Sequence, residues 1–215
     1  MTVKVCGMRE AENIRAVARL DVDWMGFIFY PASPRCVPEG DDARATVIRQ
    51  CAKTKVGVFV NAGAEEMLEK AARYGLDYLQ LHGHESPALC RTLQQAGCRV
   101  VKAFPVATAA DLEPAAAYEP YAACFLFDTK CDTYGGSGKR FDWRTLDAYT
   151  GRTPFLLSGG LRPESAEELF RFRHPQWAGV DLNSGFETAP ALKDVARLEQ
   201  FIHQLRNKTN QETTI

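Results

Sequence analysis

From end to end, the chain alternates short apolar runs, rich in β-branched and aromatic residues, with longer amphipathic stretches. That alternation limits the folds open to it more than any other feature. Strand-like runs lie at 3–5, 24–29, 55–60, 78–81, 99–103, 123–127, 155–157 and 179–182. Most are continuously apolar, as expected of strands covered on both faces. Helical patterns fall between and after them, near 10–20, 41–52, 64–74, 86–96, 108–117, 142–149, 163–172 and 191–206. Pro87, after Ser86, and Pro163 suit first helical turns, while Gly75 and Gly97 suit helix ends. Strict β–α alternation builds a parallel sheet, either closed into a barrel or open and doubly wound with two spare strands. No linker or shift of composition divides the 215 residues, which allow about 27 per unit. The expectation is one (β/α)8 TIM barrel domain over 1–207, with 208–215 as a polar tail.

Charge and cysteine usage exclude several partners. Lys and Arg total 26 against 27 for Asp and Glu, a formal charge of -1, so no bulk attraction to nucleic acid or anionic lipid follows. No apolar run approaches the roughly 20 residues that span a bilayer, and the first residues lack a secretory core. The seven cysteines form no CxxC pair, and a chain of this length needs no disulfide framework. A cytoplasmic protein acting on a small molecule is expected.

In a parallel barrel the carboxyl ends of the strands converge on one face, where chemistry is built. The residues following the apolar runs are Cys6, the segment 30–35, Asn61, His82, Lys102, Asp128, 158–160 and 181–185. Two glycine-containing turns, Ser158-Gly159-Gly160 and Asn183-Ser184-Gly185, follow the seventh and eighth runs. There, backbone N–H groups can face an anion, and barrels usually hold phosphate at this position. Gly135, Gly136, Ser137 and Gly138, followed by Lys139 and Arg140, lack Walker spacing; they read as a surface loop or as a flap closing over an anionic substrate. Cys6 is either a small buried residue or a thiol base facing the carboxyl group of Asp128. Arg35, in a proline-flanked loop, is either a surface ion pair or a carboxylate fork. His82 reads as a wall or positioning residue. No histidine–carboxylate set has the spacing of a metal site.

Eight stretches in order, KVCGM (4–8), GFIFYPASPR (26–35), VGVFVN (56–61), LQLHG (79–83), FDTK (127–130), YGGSGKRFDW (134–143), LLSGGL (156–161) and GVDLNSG (179–185), closely resemble the phosphoribosylanthranilate isomerase family of tryptophan biosynthesis. The resemblance spans essentially the whole chain. It implies an Amadori rearrangement of N-(5-phosphoribosyl)anthranilate, with Cys6 as general base and Asp128 as general acid. It also implies Arg35 on the anthranilate carboxylate, Asp181 in support, and Gly159, Gly160, Ser184 and Gly185 on the phosphate. No cofactor or metal is implied, and the protein would be a monomer or homodimer. One departure stands out: the family's Pro-Gly-x-Lys-Asp is here Pro190-Ala191-Leu192-Lys193-Asp194. Alanine resists positive φ, so a different path into the last helix is expected.

Two other classes compete. An epimerase or an indole-glycerol-phosphate synthase would also be a phosphosugar barrel; Lys102 suits the latter by position, but no strand-end glutamate accompanies it. A non-catalytic phosphosugar-binding barrel would keep the glycine turns, but would have no reason to gather Cys6, Asp128 and Arg35 at one mouth.

Overall fold

A computed structural model describes residues 1–130 and 142–212, with side chains to residue 207. Eight parallel strands close a barrel in sequence order: β1 (Thr2–Val5), β2 (Trp24–Ile28), β3 (Thr54–Phe59), β4 (Tyr78–Leu81), β5 (Arg99–Val106), β6 (Cys124–Thr129), β7 (Phe155–Leu157) and β8 (Trp177–Leu182), with β8 paired to β1. The outer layer includes α1 (Ala11–Val17), α2 (Asp42–Gln50), α3 (Ala64–Tyr74), α4 (Pro87–Gln95), α5 (Ala166–Arg171) and α6 (Val195–Glu212). The fold is the expected TIM barrel. Among the described residues, no helix is long and apolar enough to cross a membrane.

The outer layer departs from the sequence reading in three places. The fifth crossover, Ala109–Ala117, is 3-10 rather than α; Pro114 within it has no N–H to donate and disfavours continuous α geometry. The sixth described crossover element, Trp143–Ala148, is also 3-10 and only six residues long, a short connector of the kind for which this tighter turn is used. The last helix begins at Val195, not near 191, because β9 (Glu187–Ala189) and β10 (Leu192–Lys193) first form a small antiparallel hairpin. Ala191 takes φ 67° in the intervening turn, the conformation that its side chain was expected to resist. Its N–H donates to Glu187 Oε1 at 3.1 Å, and its methyl is fully buried, so the surroundings hold it there. At the other end α6 runs to Glu212, into the segment set apart as a tail.

Strand parity divides the side chains between two compartments, since successive residues face opposite sides. Val3, Val5, Met25, Phe27, Phe125, Phe127, Val180 and Leu182 belong to the large apolar layer under the helices. Val101, Ala103, Cys124, Leu126 and Leu156 form a separate plug inside the barrel. Above the plug, the same parity brings Lys4, Cys6, Gln80, His82, Asp128, Ser158, Asp181 and Asn183 inward. Lys102, between Val101 and Ala103, instead faces the helices. There its ammonium meets Glu85 at 3.1 Å and the carbonyls of Leu81 and Gly83. The lysine that a synthase would need at the mouth is therefore a structural cation.

Barrel closure between β8 and β1 needs a residue without a side chain at Gly179, which is paired with Thr2. A Cβ at this position would overlap the Thr2 backbone, including its carbonyl oxygen. Gly179→Ala is expected to cost about 3 kcal/mol or more, lowering Tm by roughly 6–12 °C for a domain of this size. A thermal melt monitored by circular dichroism checks this, and an unchanged Tm would mean that the closure is less tightly packed.

Candidate active site

The carboxyl ends of the strands open onto a cavity of about 580 Å³, partly open to solvent. Its lining includes Cys6, Arg35, His82, Asp128 and Asp181, all singled out from the sequence, together with Gln80, Ser158 and Asn183. The chemical groups thus converge from six of the strands and the loops after them.

At the floor, Lys4 on β1 and Cys6, just past its end with its N–H still paired to the Leu182 carbonyl, stand two residues apart and so share a face. Lys4 is fully buried, and its Nζ lies 2.9 Å from Asp181 Oδ2. Burial alone would favour neutral Lys4, but Asp181 and the adjoining Cys6 hold its pKa above the usual lysine value. Cys6 is 4% exposed. Burial pushes its thiol up; Lys4 and, more weakly, Lys193 oppose the rise, while Asp181 adds to it. Burial likewise pushes Asp181 up against the pull of Lys4. Asp181 Oδ1 is buried with no hydrogen-bond partner among the described residues, leaving an acceptor toward the cavity. Gly26 on β2 makes room for the thiol, because a Cβ there would stand 2.7 Å from Cys6 Sγ.

On the opposite wall, His82 Nε2 lies 3.3 Å from Asp128 Oδ2. Gln80 Nε2 is 2.9 Å from His82 Nδ1; with the amide donating, the ring proton is assigned to Nε2, facing the carboxylate. The backbone around His82 is fixed from behind by Glu85, which accepts from the N–H groups of Asn61 and Gly83 and pairs with Lys102.

The rim after β7 and β8 is built from backbone. Gly159 and Gly160 have φ of 87° and 64°, a region that favours glycine. A Cβ on Gly159 would also stand 2.6 Å from Asp128 Oδ1, so the loop passes directly over the carboxylate. Ser184–Phe186 forms a 3-10 turn after β8. A Cβ on Gly185 would overlap the Leu161 carbonyl, which places the two glycine loops side by side. Gly135, Gly136, Ser137 and Gly138 lie outside the described residues.

Arg35 carries an arrangement that no local motif announces. Its Nε and Nη2 make a fork onto Glu187, with Nη2–Oε2 at 2.7 Å. Lys193 Nζ reaches the same carboxylate at 2.6 Å and Asn183 Oδ1 at 2.7 Å. Burial acts to raise the Glu187 pKa, but Arg35 and Lys193 outweigh it and hold the carboxyl below its usual value. For Lys193, burial prevails over Glu187 and lowers the pKa. Lys4 carried a sequence signal, a charge inside an apolar strand at i−2 from Cys6. Lys193 stood in the family stretch at 190–194 but 158 residues from Arg35, and Glu187, 152 residues away, carried no signal.

Comparison with known proteins follows this geometry. The family model described as N-(5'phosphoribosyl)anthranilate (PRA) isomerase matches residues 3–204. An N-(5'-phosphoribosyl)anthranilate isomerase of Parabacteroides distasonis is 58% identical over 206 residues, covering 95% of this chain and 93% of the relative. One from Phocaeicola vulgatus is 55% identical, covering 97% and 99%. Among solved structures, the phosphoribosyl anthranilate isomerase of Thermotoga maritima superposes with a TM-score of 0.81 at 33% identity, covering 96% of this chain and 99% of that one. Another, in complex with reduced 1-(o-carboxyphenylamino)-1-deoxyribulose 5-phosphate, gives 0.78 at 30% identity with the same coverage. Monomers derived from the dimeric Thermotoga maritima enzyme give 0.79 at 31% identity, again covering 96% and 99%. The chain is thus an enzyme, a member of the N-(5'-phosphoribosyl)anthranilate isomerase family.

Proposed function

We propose that the chain converts N-(5-phosphoribosyl)anthranilate to 1-(2-carboxyphenylamino)-1-deoxyribulose 5-phosphate in tryptophan biosynthesis, with Asp128 as general acid and Cys6 as general base. The observation that carries this reading is the convergence of thiol and carboxyl group on one cavity from β1 and β6, three strands apart around the barrel. Asp128 protonates the furanose ring oxygen, and the ring opens to a Schiff base. Cys6 then takes the proton from ribose C2, leaving an enolamine. A proton added at C1 and one lost from the C2 hydroxyl give the ketone, so the reaction is an isomerisation. Acid and base must act in opposite protonation states, which requires different surroundings. Lys4 beside Cys6 favours the thiolate, while Asp128 stands across the cavity against His82.

The remaining roles follow from charge. Arg35 takes the anthranilate carboxylate, and the paired loops at Gly159–Gly160 and Ser184–Gly185 take the phosphate through backbone N–H groups. Asp181 supports the base indirectly by holding Lys4 protonated against Cys6. A flap over Gly135, Gly136, Ser137 and Gly138 would complete the enclosure. The working form is a monomer or homodimer, and dimeric origin in a solved relative supports the second.

The decisive experiment mixes purified protein with freshly made substrate in EDTA and follows its fluorescence; a saturable change is expected, and none would refute the reaction. Cys6→Ala and Asp128→Ala should each lower kcat about 10²–10⁴-fold with the fold intact. Unchanged kcat in either removes that residue from the mechanism. Arg35→Ala should mainly raise KM, by about tenfold or more; an effect confined to kcat would contradict anchoring.

The pH dependence has a definite sign. Because burial raises the Cys6 pKa, the reactive thiolate fraction grows with pH, and the rising limb of kcat/KM should lie above the ordinary thiol value. Removing both halves of the buried pair, in Lys4→Met with Asp181→Asn, takes away the larger opposing charge and should move that limb higher still. A limb below the ordinary thiol value would assign the titration to another group.

A further inference from the structure

Arg35 is not presented to the cavity as a free fork. A guanidinium has two edges able to take a carboxylate in bidentate fashion, the side edge at Nε and Nη2 and the end edge at Nη1 and Nη2. Glu187 occupies the side edge with both of its oxygens. Among the described residues nothing bonds to Nη1, so the end edge remains for a second carboxylate.

Glu187 is itself rigidly held. Lys193 Nζ donates to Oε1, and the N–H of left-handed Ala191 donates to the same oxygen. Lys193 is anchored in turn, for its backbone N–H donates to Asn13 Oδ1 and its carbonyl accepts from Asn13 Nδ2. Gly7 closes the group from below: a Cβ there would stand 2.7 Å from Arg35 Cδ and 2.8 Å from Asn183 Oδ1. The strain accepted at Ala191 therefore has a destination, since it turns an N–H onto the carboxylate that grips Arg35. Backbone strain maintained by its surroundings at a mouth of this kind fits a functional demand.

The charges also leave one place open. Arg35 and Lys193 are two cations around one carboxylate, all three largely buried. An incoming carboxylate on the end edge brings the group to neutrality.

Accordingly, we propose that Glu187 is a positioning residue for substrate specificity. It locks the side edge of Arg35, so that the end edge selects ligands bearing an aromatic carboxylate, with Lys193 and the Ala191 N–H locking Glu187. This rests on the anchoring role assigned to Arg35 above.

The test measures, by titration calorimetry, Kd for reduced 1-(o-carboxyphenylamino)-1-deoxyribulose 5-phosphate and for its phenylamino counterpart without the carboxyl group. The ratio of the two reports carboxylate selection, and a general packing defect would weaken both ligands alike. Glu187→Ala is expected to shrink the ratio about tenfold or more, while Kd for the counterpart moves less than about threefold. Glu187→Gln, isosteric and able to fold if the alanine variant cannot, should shrink it by about threefold or more. An undiminished ratio in either variant overturns the proposal, as does tighter binding of the carboxylated ligand, which would make Glu187 a placeholder that substrate displaces. Arg35→Ala separates the two readings. If it abolishes the preference while Glu187→Ala keeps it, only the positioning role fails; if it keeps the preference, the anchoring role fails and the positioning role with it.

Discussion

The ion pair between Lys4 and Asp181 is the interaction on which the floor of the site depends. Both groups lie inside the barrel, away from water, where desolvation commonly consumes most of the Coulombic gain of a pair. A plug of apolar side chains in their place, continuing that of Val101, Cys124 and Leu156 below, would stabilise the barrel as well or better. What the pair supplies is a fixed positive charge against Cys6, in a medium where charge acts over short distances with little screening. Removing either partner would leave the other uncompensated, so the floor is tied to the chemistry above it.

Around that floor the proposed contacts to anionic groups are of two physically different kinds. On one side, after β7 and β8, the means are backbone: glycines in left-handed conformations and two loops in contact, with no lysine or arginine side chain among the described residues lining the cavity there. On the other side, Arg35, Glu187, Lys193 and Asn183 form a network of side chains. A phosphate is roughly spherical and accepts N–H donors from many directions, which suits a backbone cradle. An aromatic carboxylate is planar, and planar bidentate recognition suits a guanidinium whose orientation has been fixed.

The second buried pair, Lys102 with Glu85, shows how little residue type says without parity. It is as polar and as buried as the first, yet it lies on the helix side of the sheet. There it braces the turn carrying His82 through Gly83 and Asn61. One residue of shift along β5 separates a cation in the cavity from a cation in the wall.

Much of this was legible in the chain alone. Apolar runs separated by amphipathic stretches dictate a parallel sheet covered on both faces, and eight such units with no dividing linker favour its closure into a single barrel. Cys6, His82 and Asp128 stand just beyond those runs, and all three line one cavity. Local chemistry settles these points, since strand period and turn preference act over a few residues. Tertiary structure alone decided which cations and carboxylates meet. Asp181 finds Lys4 only because the barrel closes β8 onto β1, and Glu187 finds Arg35 only because a hairpin folds back before α6. Ala191, which by its own preference should avoid positive φ, is held there by a hydrogen bond and by packing from residues distant in sequence. The energy of a backbone dihedral is local, but whether it is tolerated depends on what the rest of the fold places around it.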